Sequence, residues 1–143
     1  MNELIFECPA DPLVMRFDGF HGWENGFGWM ASRLEITPES GRGGWVNVRV
    51  DSLANLLPPS TRLLIENGEM QWELELAEAQ AGFSIPFDPL GRGSIVLWSS
   101  NGALSPAEAG LSGDTRPLSF SLRNLDASHR PRFLPLLQEE NGN

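Results

Sequence analysis

The Asn67-Gly68 pair stands between two runs of alternating apolar residues and limits the possible folds more than any other part of the chain. Asn and Gly suit the centre of a two-residue type I′ turn, because both central positions need a positive φ. The apolar residues of the two runs are Leu63 and Ile65 before the pair and Met70, Trp72, Leu74 and Leu76 after it. The pattern predicts a β-hairpin, which needs more sheet around it to be stable in water.

Period-two alternation recurs along the rest of the chain and predicts further strands at 13–17, 29–37, 45–50, 83–87 and 118–122. Short, mainly apolar runs predict two more, at 4–7 and 95–98. We expect 29–37 to pair with 45–50. The run 95–98 is apolar on both faces, which favours a central strand with Trp98 buried. Pro86 places the strand 83–87 at an edge, or with its missing N–H facing outward.

The strand count, together with 15 Gly and 11 Pro, favours an all-β fold. We predict an antiparallel β-sandwich of eight or nine short strands, with a small closed β-barrel as the alternative. At most one short helix is expected, at 51–57. The length of 143 residues suits one domain over 1–143. We expect a flexible connection at 99–117 and a frayed tail at 138–143.

The charge balance narrows the class of partner. The chain has 10 basic residues, all of them Arg, against 19 acidic ones, for a net charge of −9. Binding a nucleic-acid backbone requires clustered positive charge, so nucleic acid is not expected as the partner. No stretch approaches the roughly 20 apolar residues of a membrane span. One Cys, and acidic residues where a signal peptide needs basic ones, favour the cytoplasm.

Residues able to bind metal or act as nucleophiles are few. Cys8, His21 and His129 lie far apart in sequence, so we expect neither a metal nor another cofactor. A Cys8–His21 pair oriented by Asp18 or Glu24 is the enzymatic alternative. Nothing beside Cys8 resembles an activating helix N-terminus, which favours a buried, inert thiol. Catalysis is therefore not expected.

Acidic residues cluster on and beside the predicted hairpin: Glu66, Glu69, Glu73, Glu75 and Glu78. A solvated strand face is the default explanation for such a cluster. In an acidic chain, however, its field would steer a basic protein toward this face. The leading interpretation is a non-enzymatic protein-binding module, most concretely an inhibitor or immunity-type antitoxin that neutralises a basic toxin.

Two other regions carry alternative interpretations. The Gly-rich stretch 19–28 and the residue that follows it are predicted to form a binding loop of aromatic and polar residues: Phe20, His21, Trp23, Glu24, Phe27 and Trp29. Aromatic burial at the end of the core is the competing explanation. Trp23, Trp29 and Trp45 are the indoles expected to be exposed, as a carbohydrate-binding sandwich would require. Near the C-terminus, an apolar cluster would support a homo-oligomer or assembly subunit: Phe133, Leu134, Leu136 and Leu137.

Overall fold

In the computed structural model we describe residues 15–38, 43–52, 57–68, 70–87 and 94–137. Within these ranges the chain forms nine strands and one short helix. In chain order they are β1 (Met15–Glu24), β2 (Phe27–Pro38), β3 (Gly44–Ser52), β4 (Leu63–Asn67), β5 (Met70–Leu74), α1 (Leu76–Ala81), β6 (Phe83–Phe87), β7 (Ile95–Ser99), β8 (Ser121–Ser128) and β9 (Leu134–Pro135).

All nine strands belong to one curled sheet that forms a half-barrel, in the order β5-β4-β7-β2-β8-β3-β6-β9, with β1 also on β2. The 12-residue β2 is the strand that pairs with three others, β1, β7 and β8. Its Ile36 pairs with both Phe17 of β1 and Ile95 of β7. Its Gly28 pairs with both Trp23 of β1 and Leu122 of β8. One edge of β2 therefore carries β1, while β7 and β8 share the other edge. The predicted all-β class with at most one short helix is confirmed.

The core lies inside the curl, between a first wing (β5, β4, β7) and a second wing (β8, β3, β6, β9). Alternation supplies the inward residues, as the fully buried Val46 and Val48 of β3 illustrate. Leu34 and Ile36 of β2 and Phe83 of β6 are buried to the same degree. Leu34 and Ile36 are two residues apart and therefore lie on the same face of β2, which is the face turned to the core.

The far edges of the two wings are joined by side chains. The Nδ2 of Asn67, at the end of β4, donates to the carbonyl of Pro86 in β6. Trp72 of β5 donates through Nε1 to the carbonyl of Leu137 at 3.2 Å. Pro86 lies beyond Phe83 and Ser84, the two residues that pair with β9, so its missing N–H interrupts no pair on that side. This agrees with the placement predicted for Pro86.

Residues 19–28 are regular, so the prediction of a loop there is wrong. β1 and β2 form a hairpin that turns at Asn25-Gly26, where φ is +44° and +91°. The stretch thus contains its own Asn-Gly turn, and positive φ at both positions is what a type I′ turn requires. Two register shifts in β1 accommodate the additional glycines without ending the strand.

In the β4–β5 hairpin Asn67 belongs to the strand rather than to the centre of the turn, where it was predicted. It pairs with Met70, and φ is +63° at Gly68. The apolar partners are as predicted, because Leu63 faces Leu74 and Ile65 faces Trp72. Leu76 was expected to extend the strand but begins α1 instead.

Two further predictions are corrected by the sheet order. β2 and β3 do not pair with each other, because β8 lies between them. The last long strand begins at Ser121 rather than at Leu118, which forms an isolated bridge with Leu104. That bridge closes the base of the 99–117 connection, whose mobility stays a prediction. The predictions for 4–7, for most of 51–57 and for 138–143 lie outside the described residues.

Candidate functional site

The outer surface of the first wing and the adjoining part of β2 is the candidate site. We call it the Trp98 face, formed by Arg33, Leu64, Glu66, Gln71, Glu73 and Trp98. Strand register brings these residues together: Leu64 lies opposite both Glu73 and Trp98, and Trp98 lies opposite Arg33. Directly paired residues project from the same side of a sheet. One row of side chains across β5, β4, β7 and β2 therefore carries the acid Glu73, the apolar Leu64 and Trp98, and the cation Arg33.

Trp98 and Leu64 are the apolar centre of this face. Both are partly exposed, and the shallow cleft over them has a volume of about 470 Å³ and is lined by β4, β5 and β7. The guanidinium carbon of Arg33 lies 5.8 Å from the centroid of the Trp98 ring, within the range of a cation–π contact. The prediction that Trp98 is buried is wrong, because its side chain is partly exposed on the outer face of the first wing.

The predicted acidic cluster divides into two parts. Glu66 and Glu73 belong to the Trp98 face, where Glu66 accepts a hydrogen bond from Gln71 Nε2 at 3.2 Å and Glu73 pairs with Arg62 at 3.1 Å. Glu75 lies before the first helical residue, 3.7 Å from Arg62, and its N–H donates to the Glu78 carboxylate at 2.9 Å. Glu75 and Glu78 thus support the start of α1. Glu69 lies outside the described residues.

A further carboxylate borders the face at β2. Glu35 pairs across the sheet with Val96 and forms an ion pair with Arg33 at 3.3 Å. A hydrogen bond from the Ser94 side chain is the largest influence that lowers the pKa of Glu35, and the Arg33 contact adds to it. Glu35 therefore carries its negative charge at neutral pH.

The aromatic segment of β1 and β2 is distributed over both faces of its hairpin. Phe20 pairs with the buried Met30 and Trp23 pairs with Gly28, so both face inward. Glu24, Phe27 and Trp29 project from the opposite face by alternation. His21 donates through Nε2 to the Pro117 carbonyl at 2.9 Å. The predicted six-residue site is thus not one surface, although Trp23 remains 50% exposed.

The C-terminal apolar cluster is partly used within the chain. Leu136 is buried in the core, and the ring of Phe133 lies against Gly82. Leu134 and Leu137 are 71% and 65% exposed. Two of the four predicted oligomer contacts therefore remain at the surface, and a homo-oligomer stays a prediction.

The described part of the chain contains no group of three His, Cys, Asp or Glu residues able to hold a metal ion. None of its helices is long and apolar enough to span a membrane. Cys8 of the Cys8–His21 hypothesis lies outside this part of the chain.

Sequence reasoning found Glu66 and Glu73 but missed the apolar centre between them. The signal was present, because Val96 and Trp98 alternate with Ile95 and Leu97 as a two-faced strand would. No protein-family model matches this chain, and comparison with the curated proteins and with the solved structures gave no significant match.

Proposed function

We propose that this protein is a non-enzymatic protein-binding module that docks a basic partner on the Trp98 face. The observation that carries the proposal is the partly exposed Trp98, seated beside Leu64 on a sheet surface bordered by carboxylates. Tryptophan is among the residues that most often dominate binding energy when an apolar centre is surrounded by a polar rim.

The indole is positioned before any partner arrives. Arg33 lies over its ring, and pairing on both sides fixes the β7 backbone. A side chain that is already ordered loses less conformational entropy on binding, which leaves more of the contact energy as affinity. Trp98 is therefore suited to act as an anchor.

Charge determines the class of partner. Glu66 and Glu73 lie on the face and Glu35 borders it, while Arg62 offsets part of the charge of Glu73 and Arg33 part of that of Glu35. Glu66 is bonded by the neutral Gln71, so its charge remains available. With a net charge of −9 on the whole chain, the field attracts a basic protein and accelerates its association.

The most concrete form of this function is an inhibitor or immunity-type antitoxin. A nuclease toxin holds its nucleic-acid substrate with clustered positive charge. An acidic face with an aromatic anchor competes for that same charge and excludes the substrate. With a single Cys in the chain, we place this activity in the cytoplasm.

Affinity capture from a lysate of the source cells tests the proposal. The bait proteins are the native chain, the Trp98→Ala variant and the Trp23→Ala variant, each checked for native unfolding behaviour. Trp23 is the matched control because it is also an exposed indole but lies outside the Trp98 face. We expect a basic protein to be retained by the native chain and by Trp23→Ala, and to be lost from Trp98→Ala.

Two results would contradict the proposal. One is a lysate from which the native chain retains no basic protein. The other is retention of the same protein by the folded Trp98→Ala variant in equal amount.

A further inference from the structure

A groove of about 530 Å³ opens between β1 and β8, and it shares no residue with the Trp98 face. The β1 side contributes Phe17 and Trp23, and the β8 side contributes Arg123, Asn124 and Asp126. One wall is therefore aromatic and the other is polar. Nothing in the proposed function uses these residues.

The aromatic wall is a fixed row. Phe20 lies edge-on to Trp23, with ring centroids 5.0 Å apart, and edge-on to Phe17 at 5.8 Å. Phe20 is itself packed against the core and covers Gly28, where even a methyl group would come within 2.4 Å of its ring. Phe20 holds the two neighbouring rings in place. Trp23 is 50% exposed and Phe17 is 36% exposed, so both present apolar surface to the groove.

The polar wall is held in place as well. Arg123 donates through Nε and Nη2 to Asp51 Oδ1, at 3.0 and 2.8 Å. The side-chain amide of Asn124 donates to the backbone carbonyl of Asn47 at 3.1 Å. The carboxylate of Asp126 accepts a hydrogen bond from the side-chain amide of Asn47 at 2.8 Å. These bonds fix the orientation of three planar polar groups, so a ligand meets a preorganised wall.

The two walls together define the ligand chemistry. The exposed indole of Trp23 favours a ligand with a flat apolar surface that can stack on it. The opposite wall offers hydrogen-bond donors from Arg123 and Asn124 and acceptors from Asn124 and Asp126. A pyranose ring has both properties, because its C–H groups form an apolar face and its rim carries hydroxyls that donate and accept. Arg123 is paired with Asp51 at 2.8 Å and Asp126 with Arg132 at 3.0 Å, so the wall carries little uncompensated charge, which favours a neutral ligand.

We infer that the β1–β8 groove binds a short neutral oligosaccharide, with a pyranose stacked on Trp23 and its hydroxyls bonded to Arg123, Asn124 and Asp126. A proline-rich peptide is the closest competitor for an aromatic groove. It fits less well, because prolyl residues have no N–H to offer the Asp126 carboxylate.

Isothermal titration calorimetry tests the inference, with cellohexaose, xylohexaose, chitohexaose and maltohexaose as probes up to millimolar concentration. We expect saturable binding of at least one sugar by the native chain. Trp23→Ala should weaken it by about tenfold or more, since the variant loses both the stacking face of the indole and the apolar area buried against the sugar. Trp23→Phe keeps a stacking ring and should retain most of the affinity.

The matched control is Trp98→Ala, which leaves the groove intact and should bind the sugar as the native chain does. Failure of the protein-capture experiment would not affect this result, since the two sites share no residue. The inference is overturned if no probe binds, if Trp23→Ala binds a sugar with native affinity, or if decaproline binds while the four sugars do not.

Discussion

Arg116 is the residue that attaches the 99–117 connection to the β1–β2 hairpin. Its guanidinium contacts Asp114 through Nε and Nη2, at 3.0 and 2.7 Å from the two carboxylate oxygens, and Glu24 through Nη1 at 2.7 Å. The side-chain bonds from Arg116, followed by its backbone N–H, lower the pKa of Asp114 from 3.8 to about 2. The same contacts raise the pKa of Arg116.

We predict that the Asp114 carboxyl titrates with a midpoint near pH 2 in the folded protein. A depressed pKa in the folded state means that the contact stabilises the fold above about pH 4, and that this contribution is lost as the pH falls toward 2. Carbon-detected NMR of the side-chain carboxyl measures the midpoint. An Arg116→Gln variant is the control and should return it toward 3.8. A native midpoint already near 3.8 would mean that the ion pair is absent in solution.

Among the strands, β3, β6 and β8 are joined by the buried side chain of Asn47. Its amide donates to Asp126 at 2.8 Å and to Ser128 at 2.9 Å, both in β8. The side-chain oxygen Oδ1 of Asn47 accepts hydrogen bonds from the Ser84 hydroxyl of β6 at 2.7 Å and from the Arg132 backbone N–H at 3.0 Å. The second wing and the C-terminal segment therefore meet at one amide group.

We expect Asn47→Ala to lower the free energy of unfolding by about 2–4 kcal/mol, because it leaves several buried polar groups without partners. Urea denaturation measures the loss. Asn101→Ala is the control, since the exposed Asn101 makes one side-chain donor bond, to Thr61 at 2.8 Å, and should cost about 1 kcal/mol or less. Equal losses in the two variants would show that the network does not join these strands energetically.

Strand positions could be predicted from the sequence where apolar and polar residues alternate without interruption, as in β3 and the β4–β5 hairpin. They were less accessible at the β1–β2 hairpin, where the many glycines of 19–28 obscured the Asn25-Gly26 turn. The pairing of β2 with β3 was mispredicted for a different reason. β8, which separates them, comes from the far end of the chain, and local patterns carry no information about such insertions.

At the scale of the whole molecule, the curl of the sheet explains why only part of the candidate site was predicted from the sequence. Glu66 and Glu73 follow from alternation along two neighbouring strands. Whether Trp98 is covered depends on what lies over the outer side of the first wing, and an apolar run such as 95–98 is compatible with either outcome. The curl places the core on one side of β7 and leaves Trp98 on the other.

The central claim is that the Trp98 face attracts and anchors a basic partner, and the association rate with the captured protein tests it most directly. Stopped-flow kinetics at increasing salt would compare the native chain with a Glu66→Gln, Glu73→Gln double variant. Glu75 and Glu78 are left intact because they support the start of α1.

We predict that the double variant associates about tenfold more slowly at low salt, and that its rate depends less on ionic strength, because the steering charge is reduced. The dissociation rate should change less, since Trp98 is untouched. An association rate equal to that of the native chain at low salt, with the same salt dependence, would show that these carboxylates are only a solvated surface and would contradict the proposed function.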